Sequence, residues 1–411
     1  MNVQTILLAS AFVLVVSTVH CASVQGAEVT VQPAITVSEE YNDNLFLTTT
    51  DKRTDYITRI VSAITVTYKT PIWDWDVAYA YDYRYYANYK VDENLYTLNL
   101  NNHTRMLNDA LLFDIQDVHT RTPLSVVRDW TQESLFLNQT DTNTLIATPY
   151  TKLRLAPNAT LTTGYQYRNI WYQNPEAIDK ADHGLFATFD HEVTSRLTMS
   201  ADIRYTGTTA ETDHLRRTDL LVSVVYAHAA NSLSWYAIGN SWLDIDTEGE
   251  STQVVWNAGF LHTAGKYSYT INSKMTYMED PLSILRREDQ YVAAITRQTE
   301  RTTLGLSAGW YEYRNAISKH LEDTRHLVTG TISQATSQTT KIIYDASVGR
   351  VEDNVQDQYT EVYLGGIRYE FMPSASLTIA MQYRYANAYS PDDYAANHHN
   401  NRVMVEIKKI F

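Results

Sequence analysis

Five arginines sit in closely similar surroundings: Arg84 in YRY, Arg168 in YRN, Arg204 in IRY, Arg314 in YRN and Arg384 in YRY. Each is read on the polar side of an alternating apolar–polar run, some way beyond a short turn. At roughly 2.5 Å of height per tilted residue, about ten residues climb about 25 Å, the height of a membrane's apolar band. The five are therefore expected as a partial ring facing the lumen near the outer mouth of a pore. A guanidinium is a permanent positive charge with its donors in a fixed fork. A ring of such groups can select anions, or hold the carboxylates and hydroxyls of a sugar. The bland alternative is that each pairs with a nearby carboxylate and braces the wall. Asp82 and Asp202 stand two positions before Arg84 and Arg204 on the same face. Both readings stand at this point. Arg59, Arg154 and Arg368 share the inward faces nearer the opposite end.

Other chemistry is thinly represented. The histidines are scattered, and His398 and His399, adjacent on an extended segment, point apart. Walker-loop and zinc spacings do not occur, and the Gly-x-Ser-x-Gly at Gly305–Gly309 lies inside the alternating run of strand 302–315 rather than at a strand-to-helix turn. The expectation is a non-enzyme with no catalytic residue, no metal and no cofactor.

The elements that carry these arginines are long strands. In WDWDVAYAYDYRYYANY, Trp73, Trp75, Val77, Tyr79, Tyr81, Tyr83 and Tyr85 alternate with Asp74, Asp76, Ala78, Ala80, Asp82 and Arg84. The period of two returns in 196–207, 267–277 and 375–389. Strands of soluble sheets average about five or six residues, whereas a bilayer needs about 9–11 tilted residues. Tyrosine occurs 31 times, and its apolar ring with a polar tip suits a membrane–water boundary.

The fold class is therefore an all-β, transmembrane, antiparallel up-and-down barrel. The alternation predicts about 20 strands, with about 18 as the alternative. Expected spans include 29–46, 55–69, 73–88, 110–122, 180–194, 302–315 and 399–411. Short connections alternate with long ones. Short turns belong in the periplasm and long loops outside, which places both ends in the periplasm. A barrel of this size cannot fill its interior with side chains, so a pore is implied unless loops plug it. The loop over 122–141 is apolar enough to fold inward as a constriction, with a surface hairpin as the alternative.

The termini and the charge agree with this picture. Residues 1–27 read as a secretory signal peptide, with the barrel over 28–411. Its removal takes away Cys21, the only cysteine. A formal charge of −14 disfavours a nucleic-acid partner and fits a surface rich in bridging divalent cations. The expected location is the outer membrane of a Gram-negative bacterium, among its lipid and lipopolysaccharide. The last strand, RVMVEIKKIF, puts Val405, Ile407 and Phe411 towards lipid. Its terminal Phe resembles the C-terminal signal read by the barrel-assembly machinery. Lys409 is the exception on that face, at the rim where it can snorkel to water.

The opening PAITVSEEYNDNLFLTTTDKRTDYITRI resembles the β-barrel porin 2 family, in particular members associated with the PEP-CTERM exopolysaccharide system. The matching residues are Tyr41, Asp43, Asn44, Phe46, Asp55, Ile57 and Thr58. The chain departs from the family at Lys69–Pro71, where relatives carry Pro-Gly. The resemblance implies a barrel exporting a polysaccharide chain, with a periplasmic polysaccharide export protein as partner. A general diffusion porin and a loop-plugged structural or surface barrel are the rivals. The motif also has a plain structural reading, since Asn and Asp suit a strand end.

Overall fold

The computed structural model describes residues 27–125, 127, 137–211, 213–278, 280–393 and 397–411. Residues 1–26 of the expected leader, Cys21 among them, lie outside the described residues, as do 126 and 128–136 of the 122–141 loop.

Period-two patterning organises the chain into a 20-stranded antiparallel sheet. Its strands are β1 (Glu28–Asn42), β2 (Asp55–Lys69), β3 (Trp73–Tyr86), β4 (Val91–Met106), β5 (Leu111–Pro123), β6 (Gln139–Ala156), β7 (Ala159–Tyr172), β8 (Lys180–Thr194), β9 (Leu197–Ala210) and β10 (His214–Ala229). They continue as β11 (Ser232–Ile245), β12 (Gly249–Ala264), β13 (Tyr267–Met278), β14 (Arg286–Gln298), β15 (Thr302–Asn315), β16 (Leu321–Ala335), β17 (Thr340–Asp353), β18 (Gln358–Ser374), β19 (Leu377–Tyr389) and β20 (His398–Ile410). Each strand pairs with its chain neighbours, and β1 pairs with β20 from Ala34↔Ile410 to Asn42↔Arg402. The barrel is closed, so no backbone edge faces lipid. No helix among the described residues is long and apolar enough to cross a membrane.

The two faces separate as the patterning expects. Large apolar side chains point outward, such as Tyr236 at 58 % and Ile238 at 65 % exposure on β11. Val405, Ile407 and Phe411 are exposed on the same outer side, and Lys409 donates to Ser376 Oγ at the turn beside them. The inward positions carry Thr, Ser, Asn and Gln with most of the charges. Expected and observed strands agree closely over 55–69 and 180–194, while β1 stops at Asn42 rather than 46.

The hydrophobic core is not central. Its three clusters gather at the ends of the strands that adjoin the long connections: Leu215, Leu243, Ile245 and Ala316; Leu45, Ile57 and Tyr86; and Val127, Tyr313 and Val351. A wide barrel has no interior to pack, so its hydrophobic clusters gather at the outer mouth.

Candidate functional site

The inner wall from β18 round to β3 carries a ladder of charges. Arg368 donates to Glu370 (2.8 Å) and to Glu406 (2.7 Å), and Arg402 donates to Glu40 (2.9 Å). Asp82 accepts from Arg59 (2.8 Å) and from Arg84 (2.7 Å). Arg59 stands directly opposite Arg84, and Arg384 directly opposite Arg402. Like charges so placed repel, and the carboxylates between them offset that repulsion.

The five sequence-predicted arginines are not brought together. Arg84, Arg168, Arg204 and Arg384 do face the lumen, on four separate strands. Arg84 is paired with Asp82, and Arg168 with Asp182 at 2.5 Å. Arg204 departs from the expected pairing, because Asp202 accepts instead from the Thr188 hydroxyl at 2.6 Å. Its guanidinium donates to Gln166 Oε1 at 3.1 Å and lies 5.4 Å from the centre of the Phe186 ring. Arg314 corrects the expectation outright. It shares the alternation face of Leu304, Leu306 and Trp310, which is the outward one. Sequence likeness to the surroundings of Arg168 hid this, since YRN fixes no register.

Arg314 nevertheless escapes lipid, and the reason is the main feature of the mouth. β12 and β13 pair only from Asn257↔Lys274 down to Ala264↔Tyr267. Above that point the upper end of β13 leaves β12 and passes inside it. Tyr277 continues the outward face of Tyr269 and Ile271, yet it packs against the cluster of Leu215, Leu243, Ile245 and Ala316, whose Leu215 and Leu243 point into the lumen from β10 and β11. The guanidinium of Arg217, also lumenal, lies 5.2 Å from the Tyr277 ring centre. Arg287 on the same outer face of β14 donates to Gln253 on the inner face of β12 at 2.7 Å. Asp289, only 3 % exposed, binds Arg287 and Arg314. Thus the outer face of β13–β15 is covered by the inner face of β10–β12. Charges placed where lipid would otherwise lie are buried between two layers of wall, paired with each other.

A second overlap has the same hand. β4 and β5 pair only between Leu98↔His119 and Met106↔Leu111. Above the seam, Arg121 and Asp141 occupy outward positions, yet Arg121 donates to lumenal Glu93 at 2.7 Å as well as to Asp141 at 2.7 Å. At both seams the later strand slides inside the earlier one.

The connections above these seams span the opening. Ile178 N donates to Pro281 O at 2.8 Å, and Lys180 Nζ to Asp280 O at 2.7 Å, joining the β7–β8 and β13–β14 loops. Val127 of the β5–β6 loop, 2 % exposed, packs on Tyr313 and Val351 of the opposite wall. The described part of that loop therefore reaches inward.

The motif residues lie at the top of the closing seam. Asn44, 0 % exposed, donates to Thr48 O (2.8 Å) and His399 O (3.0 Å) and accepts from Thr48 N (2.9 Å). Asp43 accepts from Asn401 N and Asn401 Nδ2, both at 2.7 Å. Asn400 donates back to Asn42 and to Asn44 O. Tyr41 packs on Tyr56, and Phe46 on Tyr89. These residues tie the first strand to the last. That role ends β1 early, because Asp43 and Asn44 are needed for the clasp rather than for strand pairing.

No family model and no curated protein matches the chain. Solved structures do resemble it. The FrpB iron transporter from Neisseria meningitidis superposes with a TM-score of 0.52 at 7 % identity, over 92 % of this chain and 82 % of that one. A mutant of the ferric enterobactin receptor PfeA from Pseudomonas aeruginosa gives 0.53 at 8 %, over 93 % and 80 %. At such identities the likeness is one of fold alone, a large β-barrel.

The site is thus a wide polar lumen under a mouth narrowed by two overlaps. Among the described residues no cluster of His, Cys, Asp and Glu could hold a metal ion. His398 points inward and His399 outward on β20. Sequence reasoning missed Arg121, Tyr277, Arg287 and Asp289. For Arg121, Arg287 and Asp289 the signal was available: charged residues standing on the apolar face of a strand.

Proposed function

We propose that this chain is a gated channel in the outer membrane of a Gram-negative bacterium, exporting an extracellular polysaccharide. The observation that carries the gate is the pair of same-handed overlaps. Sliding both later strands further inside shortens the rim and closes the mouth, and sliding them back widens it without breaking a paired strand lower down. The hydroxyl- and amide-rich inner face suits a hydrated sugar chain, which exchanges water for hydrogen bonds of similar strength. The family resemblance of the first two strands supports the polysaccharide over a small solute. Lipopolysaccharide around the rim, the barrel-assembly machinery and a periplasmic export protein are the partners this role requires.

Conductance in planar bilayers tests the channel, and a protein that never conducts has no channel function. Deleting the gene tests the cargo: surface polysaccharide is expected to fall. Unchanged surface polysaccharide, with permeability to small solutes intact, leaves a diffusion porin instead.

A further inference from the structure

The lumenal wall of β6–β9 holds a recess that the bracing network does not use. In one row across four strands, Tyr150 faces Gly164, Gly164 faces Phe186, and Phe186 faces Arg204. The Phe186 ring lies against the wall over Gly164. A Cβ at Gly164 would come 2.5 Å from Tyr150 Cβ, 2.6 Å from Pro149 O and 2.9 Å from Phe186 Cζ, so only glycine fits between β6 and the tip of the ring. Next above Phe186 on the same face is Gly184, where a Cβ would meet nothing closer than 3.5 Å. The wall is therefore open beside an aromatic face. Gln166 and Thr206 flank that opening.

Arg204 completes the recess. Arg59, Arg84, Arg168 and Arg368 each contact a carboxylate. Arg204 has one hydrogen bond among the described residues, to Gln166, and no carboxylate partner. Of the nearby acids, Asp202 accepts from Thr188, and Asp219, directly opposite Arg204, pairs with Arg217 at 3.0 Å through one oxygen, while its other oxygen is buried without a partner among the described residues. A guanidinium with spare N–H groups beside a ring is matched by one ligand chemistry in particular. A uronic-acid sugar offers C–H groups to the edge of the ring and a carboxylate to the fork.

We propose that Phe186, Arg204 and Gln166 form a subsite for an acidic sugar unit of the transported chain. This deepens the export reading and rests on it for the natural cargo. The subsite itself is tested separately. Tetragalacturonate and tetraguluronate are titrated calorimetrically into the purified full-length barrel in detergent, which needs no open gate. At least one is expected to bind. Arg204→Gln is expected to weaken that binding by about tenfold or more, Arg204→Lys by less, and Phe186→Leu measurably. Maltotetraose, which lacks the carboxylate, is expected to bind far more weakly. An unchanged affinity in Arg204→Gln, equal binding of maltotetraose, or no binding of either uronate each overturns the subsite. Circular dichroism and heat-modifiable gel mobility of each variant separate lost binding from lost folding. Binding without any change of surface polysaccharide on gene deletion overturns export and leaves the subsite standing.

Discussion

Two seams of the same barrel are treated in opposite ways at the outer rim. At β1–β20 the strands are joined only by closure of the barrel, yet they are paired to the top and clasped by Asn42, Asp43, Asn44, Asn400 and Asn401. At β12–β13 the strands are chain neighbours joined by a two-residue turn, yet pairing is abandoned over the upper half of β12. The difference teaches where stability and motion are divided. A closing seam has no covalent link to restore it, so buried amides hold it. A seam tethered by its own turn can part above without risk of unravelling. In the proposed gate its buried surfaces form a sliding contact rather than a ladder.

The largest expected effect comes from freezing that sliding contact. The hydrogen bond between Ile178 and Pro281 brings the β7–β8 and β13–β14 loops close enough for a disulfide. The double variant Ile178→Cys, Pro281→Cys is expected to conduct only after reduction. Current that is equal under oxidising and reducing conditions, with the disulfide verified by mass, would mean that the loops do not gate the pore.

The second effect falls on the other seam and on a different quantity. Asn44 uses both ends of a fully buried amide. Asn44→Ala removes several hydrogen bonds at about 1 kcal/mol each and leaves buried backbone carbonyls unpaired, a loss of about 3 kcal/mol. The urea midpoint of unfolding is expected to fall, with single-channel conductance unchanged. A variant that gates differently but unfolds normally would contradict the division between the seams.

The third effect reverses this pattern. Arg287→Gln keeps the volume but loses the charge that holds Asp289 and Gln253. Open probability is expected to rise several-fold while the unfolding midpoint shifts little, because the strands below Asn257 stay paired. Tyr277→Leu is expected to act in the same direction, since it removes the ring that Arg217 covers.

Much of the fold was legible from the sequence, and the mouth was not. Strand 73–86 announces itself because seven aromatic or aliphatic residues alternate with charged or small ones, and strand length separates a membrane wall from a soluble sheet. The clasp was legible as a motif but not as a clasp, since its partners lie in the last strand. Alternation is local: it reports which side of its own strand a residue takes, not what lies beyond that side. Tyr277 therefore reads as another lipid-facing tyrosine, and Arg314 as another pore arginine. The overlap is a displacement of one arc of wall against another, and no short window of sequence records it. Only the conflict itself, Arg121, Asp141, Arg287, Asp289 and Arg314 on apolar faces, marks the place.

The smallest effect concerns selectivity, and it distinguishes two parts of the lumenal wall. Asp82 serves both Arg59 and Arg84, so the local charge there is one positive excess spread over two guanidinium groups. Replacing Arg84 with Gln leaves Arg59 to pair with Asp82, and anion-over-cation permeability is expected to fall only slightly. Asp82→Asn frees two facing arginines at once. It is expected to raise anion preference more than Arg84→Gln lowers it, because the removed charge had been offsetting both. Arg204→Gln is expected to lower anion preference by an amount between these two in size, since that arginine carries its charge without a carboxylate partner among the described residues. Reversal potentials under a salt gradient, measured in the reduced Ile178→Cys, Pro281→Cys background to hold the mouth open, give the order directly. An order in which Arg84→Gln exceeds both would mean that the ladder presents its charge to the lumen rather than spending it on the wall.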